Sequence, residues 1–504
     1  MASGDPSASK TIEDRVATGV KGFDVLIEGG FPRGDLVLLV GHPGSGKTLL
    51  SSQFLYNGAS KYQEPGVYVS FAENRKAFFR NMQRTKMDFE KMEQDGLFRF
   101  MDFVTVKEEG IDEILTTVVA ELDSLKARRL VIDSFSAMAQ AFSRRIEARI
   151  VLHTVLGRMT RLNDVTTMLI AEKQLGSKVL GGGMEEFVAD AVVELTHSLE
   201  RGYLVRNLDI VKMRGTRTTR SRLHYDIGDE GLVVYTPLTP YPFDNVSGEK
   251  VTTGIEGLDK MLRGGVYKGS TILVMGESGT GKTTSALQFL ARAPAKNEKV
   301  LFTSYEESPD ELLRHGNSFG WKLSELVDSG KAKLMSFSPD PSIIHKIFSE
   351  IGREMVEYKP SRLVVDSLTS LEKVMNPDEF YQTIRRLVSL GKSRGITILA
   401  TARTTEGALP SDFWVSSLTD VILSLRQVES QSRLRRALVV FKARGSPLDS
   451  SIKEFEINQT GITVEERFTD LEQILSGSAR RSTRVEGWSE AFTGRPQTKT
   501  GTDR

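Results

Sequence analysis

Two tandem α/β domains, each a mainly parallel sheet flanked by helices, are the fold class predicted by this 504-residue sequence. Three observations predict it: a phosphate-loop signature that occurs twice, a repeat that aligns the two halves, and short apolar runs that alternate with helical patterns. The signatures read Gly41-His42-Pro43-Gly44-Ser45-Gly46-Lys47-Thr48 and Gly276-Glu277-Ser278-Gly279-Thr280-Gly281-Lys282-Thr283, and their lysines lie 235 residues apart. Both match G-x-x-x-x-G-K-[ST]. Each follows an apolar run (Leu36 to Val40; Thr271 to Met275) and precedes a helix-like stretch, the strand–loop–helix context that such a loop needs. Backbone N–H groups of the loop wrap nucleotide phosphates, the Lys reaches the outer phosphates and the Thr hydroxyl holds Mg²⁺.

The wider repeat runs without a gap upstream of both loops, pairing Gly19 with Gly254, Asp24 with Asp259 and Gly34 with Gly269. Arg129-Leu130-Val131-Ile132-Asp133-Ser134 then matches Arg362-Leu363-Val364-Val365-Asp366-Ser367 at offset 233, and Lys212-Met213-Arg214-Gly215 matches Lys442-Ala443-Arg444-Gly445 at offset 230. A slowly drifting offset is what loop insertions and deletions produce on a duplicated scaffold. Gly66 to Phe71, Leu130 to Asp133 and Thr167 to Ala171 read as buried parallel strands, with partners Val300 to Tyr305, Leu363 to Asp366 and Thr397 to Thr401. The expected organisation is a disordered segment 1–12, domains over 13–240 and 241–478, and a tail over 479–504. Thr236-Pro237-Leu238-Thr239-Pro240-Tyr241-Pro242 joins the domains, its three prolines favouring an extended linker.

Bulk composition excludes several function classes. The 67 basic and 66 acidic residues leave a net charge of +1, so no overall field recruits nucleic acid or an anionic membrane. The absence of cysteine removes disulfides and thiolate metal sites, and the six histidines show no metal-ligand spacing. The polar N-terminus lacks the apolar core of a secretory signal, and no run of about 18 apolar residues exists to span a membrane. A cytoplasmic location is expected.

Asp133 and Asp366 end apolar strands, where a carboxylate supports the Mg²⁺ held by Thr48 or Thr283. Glu306 and Glu307 end the strand after the P-loop helix of the second half, and paired carboxylates there can orient or deprotonate an attacking water or hydroxyl. The first half has Ala72-Glu73 instead, so the halves differ where a base would sit. Lys212 and Arg214, like Lys442 and Arg444, leave late strands. Their recurrence, each time before a glycine, suggests cations reaching the γ-phosphate of a nucleotide on a neighbouring subunit. Ser416 and Ser417 stand opposite Glu186 and Phe187, so only the second half presents hydroxyls before that strand.

Across residues 12 to 480 these motifs, with Gly183-Met184-Glu185-Glu186-Phe187-Val188, Phe441-Lys442-Ala443-Arg444-Gly445-Ser446 and Ser476-Gly477-Ser478, resemble the KaiC family of cyanobacterial clock ATPases and autokinases. The resemblance implies RecA-like P-loop domains in a double-ring homohexamer, with ATP and Mg²⁺ between protomers. Its ATP-binding residues fall on Gly44, Ser45, Gly46, Lys47, Thr48 and Leu49, and on Gly279, Thr280, Gly281, Lys282, Thr283 and Thr284. Its metal-binding residues fall on Thr48, Asp133, Thr283 and Asp366. The family's N-terminal tier hydrolyses ATP slowly and its C-terminal tier phosphorylates itself. The acceptor pair falls on Ser416 and Ser417 and a nearby third hydroxyl on Ser411. The catalytic glutamates fall on Glu306 and Glu307 in the second half and Glu73 in the first. The trans-acting pairs fall on Lys212 and Arg214 and on Lys442 and Arg444.

Three departures shape the expectations. Ala72 replaces one N-terminal-tier glutamate, so hydrolysis there rests on Glu73 or is altered. The acceptor pair is Ser-Ser rather than Ser-Thr, a form associated with homologues outside the core cyanobacterial oscillator. The tail after Ser478 has little likeness to the segment that binds the activator KaiA. A KaiB-like partner and activator-independent autophosphorylation are therefore expected. The alternatives are a nucleic-acid motor of the recombinase or helicase type, against which the neutral charge and the acceptor pair count, and a binding module whose nucleotides only join subunits.

Overall fold

A computed structural model of the chain describes residues 15–103, 111–139, 164–173, 188–217, 222–238, 248–293, 298–404, 414–430, 433–467, 471–472 and 480–481. The chain divides into two compact units, Met1–Pro237 with Asp340–Ser349, and Leu238–Pro339 with Glu350–Arg504. Each unit is built on one nine-stranded sheet.

In the first unit the strand leading to the phosphate loop, Leu36–Gly41, lies at the centre. Thr166–Glu172, Arg129–Asp133, Gly66–Ser70 and Phe98–Asp102 follow on one side, all parallel. On the other side Ala191–Glu200 pairs in parallel with Leu36–Gly41. It then begins an antiparallel ribbon through Tyr203–Met213, Arg222–Gly228 and Gly231–Tyr235. The second unit repeats this order strand for strand. Thr271–Gly276 is central, with Thr397–Arg403, Arg362–Asp366, Val300–Ser304 and Ala332–Ser336 on one side. Val421–Ser430, Arg433–Ala443, Lys453–Asn458 and Gly461–Arg467 lie on the other.

The apolar runs read as strands are strands, and their continuity has a physical cause. Val37 and Leu39 enter one core cluster while Leu36, Leu38 and Val40 enter another. Side chains alternate across a strand, so a strand covered on both faces must be apolar at every position. The antiparallel ribbon was not anticipated. Tyr203–Met213 buries Val205, Asn207, Leu208 and Ile210 and leaves the rest half-buried or exposed, the weaker pattern of a sheet that meets solvent on one face. Both ribbons carry a bulge at the same place, between Val192 and Val193 and between Ile422 and Leu423.

A buried arginine fastens each unit. Arg129 donates to the carbonyls of Ala17 and Phe54 and holds Glu64 through Nε and Nη2, at 2.8 and 2.6 Å. Arg362 donates to the carbonyls of Thr252 and Phe289 but reaches Glu298 only through Nε, at 3.3 Å. Both guanidiniums lie 4.6 Å over a phenyl ring, Phe54 or Phe289. Each ties the helix after the phosphate loop to the segment that precedes the loop's strand.

Candidate active sites

Each phosphate loop turns from its strand into a helix, Lys47–Tyr62 or Lys282–Ala291. Gly46 and Gly281 make the turn at φ 90° and 97°, a conformation that strains any residue with a Cβ. Lys47 Nζ folds onto the carbonyls of Gly41 and His42, both at 2.9 Å, and Lys282 Nζ onto that of Glu277 at 2.6 Å. Burial lowers the pKa of both lysines, while Glu172 and Asp133, or Asp366 and Glu306, oppose the shift. Partial burial beside carboxylates leaves an ammonium poorly solvated and suited to exchanging these carbonyls for phosphate oxygens.

Thr48 Oγ1 donates to Asp133 Oδ2, and Thr283 Oγ1 to Asp366 Oδ2, each at 2.8 Å. A hydroxyl and a carboxylate brought together across the sheet are the hard oxygen donors that Mg²⁺ prefers, so the residues present fit that ion. The two aspartates are steadied differently. Tyr68 from the neighbouring strand donates to Asp133 Oδ2 at 2.6 Å. Asp366 receives Thr401 on its other oxygen. Phe302 stands where Tyr68 does, and Ile170 where Thr401 does, so each half supplies its hydroxyl from a different strand. Burial pushes the Asp366 carboxyl up, against the hydrogen bonds from Thr401 and Thr283.

The carboxylates after the next strand are also held. Glu306 Oε1 accepts from Ser370 Oγ at 2.8 Å and from Ser367 Oγ at 3.2 Å. In the first half the positions of Glu306 and Ser370 are Ala72 and Ala137, so the carboxylate and one of its two anchors are absent together, while Ser134 keeps the place of Ser367. Glu73 keeps the place of Glu307. Burial raises its pKa, Asn81 lowers it and Asp133 adds to the rise.

The remaining candidates lie elsewhere. The P-loop strand pairs with Val421–Ser430 in parallel, Ile272 beside Val421 and Gly276 beside Leu425. Ser416 and Ser417 occupy a 3₁₀ turn, Trp414–Ser417, before the start of that strand, whereas the phosphate loop follows the other end of its neighbour. Ser417 is exposed and Ser416 half-buried. Lys442 pairs with Ile422, so the basic residues share the serines' edge. Lys442 Nζ donates to the carbonyls of Ser416 and Thr419 at 2.9 and 2.8 Å, and Arg444 Nη2 to that of Ser417 at 3.0 Å. Burial and the Arg444 charge lower the Lys442 pKa. The first half matches: Lys212 pairs with Val192 and donates to the carbonyl of Ala189 at 2.7 Å, and Arg214 meets Asp190 at 3.1 Å. Asp190 and Asp420 accept from the backbone N–H that opens each P-loop strand, at Leu36 and Thr271. At about 3.3 Å per residue, a strand length of about 17 Å separates each basic pair from its own phosphate loop.

The KaiC ATPase family model matches residues 16–239 and, a second time, 251–468. The chain belongs to the KaiC family. It is 33% identical over 476 residues to the circadian clock oscillator protein KaiC of Parathermosynechococcus lividus, covering 92% of this chain and 88% of that protein. It is 32% identical to KaiC of Synechococcus elongatus, over 93% of this chain and 92% of that one. The circadian clock protein KaiC3 of Synechocystis is also 32% identical, over 92% and 94%. ATP binding and an ATPase role follow from membership. Among the described residues no helix is long and apolar enough to cross a membrane.

Sequence motifs therefore name two clusters that the structure keeps apart within one chain. Lys47, Thr48, Asp133 and Glu73 gather at one end of the first sheet, and Lys282, Thr283, Asp366, Glu306 and Glu307 at the same end of the second. Lys212 with Arg214, and Lys442 with Arg444 and the serines, gather at the opposite ends. Ser411, Gly183 to Phe187, Ser476 to Ser478, the linker from Thr239 and the tail after Arg481 lie outside the described residues. Sequence reasoning missed Tyr68, Thr401, Ser367 and Ser370, hydroxyls that serve the two aspartates and Glu306. For Ser367 and Ser370 the signal was their place just after Asp366 in the aligned repeats, whereas only the sheet brings Tyr68 and Thr401 to the aspartates.

Proposed function

We propose that this chain is an ATP-driven serine autokinase and autophosphatase with slow ATPase activity, working as a homohexameric timing or signalling protein of the circadian-clock type. The observation that carries this reading is the separation of donor and acceptor. The serine pair and its basic neighbours occupy the sheet edge opposite the phosphate loop of the same chain. Transfer then requires a second copy whose phosphate loop faces that edge, which a ring supplies. The paired carboxylates and the paired hydroxyls occur together in one half only, which supports the same assignment.

In the transfer, Oγ of Ser416 or Ser417 attacks the γ-phosphorus of ATP on the neighbouring subunit. The serine O–P bond forms, the bond from phosphorus to the β,γ-bridging oxygen breaks, and ADP leaves. The hydroxyl proton passes to the Glu306 or Glu307 carboxylate. Lys442 and Arg444, released from the backbone carbonyls they hold, stabilise the charge on the transferred group in trans. Mg²⁺ at Thr283 and Asp366 would neutralise phosphate charge. Run with water in place of serine, the same carboxylates serve hydrolysis, and in the first half only Glu73 remains for that task. A KaiB-like partner fits the clock reading, and the tail sequence favours independence from a KaiA-like activator. The nucleic-acid motor is disfavoured by the near-zero net charge of +1.

Phosphosite mapping after incubation of the purified chain with ATP tests the proposal. Phosphate is expected on Ser416 or Ser417, with initial rates at least about 100-fold lower in Glu307→Gln, the usual weight of a general base. Intact assemblies with no incorporation would favour nucleotides that only join subunits. Several-fold stimulation of ATP hydrolysis by single-stranded DNA would favour the motor.

A further inference from the structure

The second carboxylate of each site has a partner that neither the motifs nor the family assignment identifies. Glu73 and Glu307 sit on loops of the same geometry, their backbone N–H groups donating to Ser70 Oγ and Ser304 Oγ, both at 3.0 Å. Each loop leads into a helix whose cap is a polar side chain, Asn74 before Arg75–Gln83 and Ser308 before Pro309–Ser318. Eight residues beyond each glutamate, on the seventh position of that helix, a side chain turns back toward the carboxylate. In the first half it is Asn81, whose Nδ2 donates to Glu73 Oε1 at 2.6 Å. In the second it is His315, with Nδ1 3.6 Å from Glu307 Oε2. The other imidazole nitrogen, Nε2, lies 3.3 Å from Oγ1 of Thr284, the residue after the Mg²⁺-binding threonine. With the proton on Nδ1, the ring faces Glu307 with a donor and accepts from Thr284 with Nε2.

We infer that Asn81 and His315 are positioning residues that aim the second carboxylate of their sites, and that His315 also joins Glu307 to the helix of its phosphate loop. Two observations carry this. One topological position of both repeats places a polar side chain beside the carboxylate although the residue type changes, as a 2.6 Å hydrogen bond from Asn81 and a 3.6 Å approach of His315. The imidazole is also placed so that one rigid ring spans the carboxylate and the nucleotide-binding helix. A carboxylate on a loop has several rotamers, and a neighbour that selects one raises the fraction of encounters in reactive geometry. For the second half the inference rests on the autokinase reading. For the first half it needs only ATP hydrolysis.

The test is a pair of double-mutant cycles on the full chain, reading serine phosphorylation for the second site and ATP hydrolysis of a Lys282→Ala background for the first. His315→Ala is expected to lower the phosphorylation rate constant about tenfold while the KM for ATP stays within about twofold, as loss of aim rather than of binding predicts. In a Glu307→Gln background the same change should have no further effect, because the two residues act as one unit. His315→Asn, which installs the other repeat's solution, should recover most of the rate, and His315→Leu should not. Asn81→Ala and Asn81→His should behave likewise toward Glu73→Gln. Additive losses of His315→Ala and Glu307→Gln, or equal rescue by Leu and Asn, would overturn the inference while leaving the kinase assignment intact. Phosphorylation unaffected by Glu307→Gln would remove the His315 inference and leave Glu306 as the base, and the Asn81 cycle then decides the first half alone. A circular-dichroism melt of each variant separates misfolding from misaiming, and Asn, a small polar replacement at a half-buried helix position, keeps the cycle readable if Ala unfolds.

Discussion

The two halves share a sheet order, a bulge and a buried arginine, yet differ residue by residue around the phosphate loop. The second half has Glu306 anchored by Ser370 and Ser367, Glu307 beside His315, and Asp366 steadied by Thr401. The first has Ala72, Ala137, Glu73 held by Asn81, and Asp133 steadied by Tyr68. What changes is the carboxylate inventory together with the groups that hold it. What is constant is the means of binding phosphate. On the proposed function, a duplicated domain keeps nucleotide binding at both sites while specialising only one for transfer to a hydroxyl.

The largest expected effect breaks that specialisation. Glu306→Gln should lower serine phosphorylation by about 100-fold or more, with ATP binding retained. The reverse experiment installs Ala72→Glu with Ala137→Ser. It should raise ATP hydrolysis at the first site, measured with the second silenced by Lys282→Ala. No gain would mean that Ala72 is not what sets the first site's rate.

Next come the arginine fasteners. Removing one partner of a buried pair costs about 3–5 kcal/mol, so Arg129→Ala should strongly destabilise its domain in urea. Arg362→Ala should cost less, because Arg362 reaches Glu298 through a single longer contact while Arg129 grips Glu64 twice. Equal losses would show that the carbonyl contacts, common to both, dominate.

Steadying hydroxyls should show a smaller effect. Tyr68→Phe should raise the Mg²⁺ concentration needed for half-maximal nucleotide binding at the first site about tenfold, the lower end for losing an outer partner of a metal site. Thr401→Val should do so at the second site only. Fluorescent-nucleotide titration against Mg²⁺ reads both, and crossed effects would contradict the assignment of one hydroxyl to each half.

The smallest effect concerns stability. Burial raises the folded pKa of Asp366, so its contribution to folding is most favourable below the ordinary aspartate range and is lost as pH rises through the folded value. At neutral pH the ionised group therefore opposes folding, and Asp366→Asn should raise the melting temperature of its domain while impairing Mg²⁺-dependent binding. A lower melting temperature at pH 7 would mean that the hydrogen bonds from Thr283 and Thr401 outweigh desolvation.

Much of this was legible in the sequence because the informative residues are local. A phosphate loop, its strand and its helix occupy one stretch, and Asp133 and Asp366 end strands whose apolar runs are unmistakable. The second carboxylates and the basic pairs emerged from aligning the halves. The groups that hold these residues were not legible. Tyr68 meets Asp133 only because their strands are neighbours in the sheet, and Thr401 meets Asp366 for the same reason. Asn81 and His315 are polar residues on amphipathic helices, indistinguishable in sequence from solvated positions. The separation of the serines from their own phosphate loop needed the sheet's polarity, because the central strand and Val421–Ser430 are parallel although far apart in the chain.

Subunit mixing tests the central claim most directly. One chain carries Ser416→Ala and Ser417→Ala with its carboxylates intact, and the other carries Glu306→Gln and Glu307→Gln with its serines intact. Neither alone should incorporate phosphate. Exchanged into common assemblies with labelled ATP, they are predicted to place label on Ser416 or Ser417 of the carboxylate-deficient chain. Mixed assemblies that form and stay unlabelled, beside an unaltered chain that labels normally, would contradict transfer between subunits.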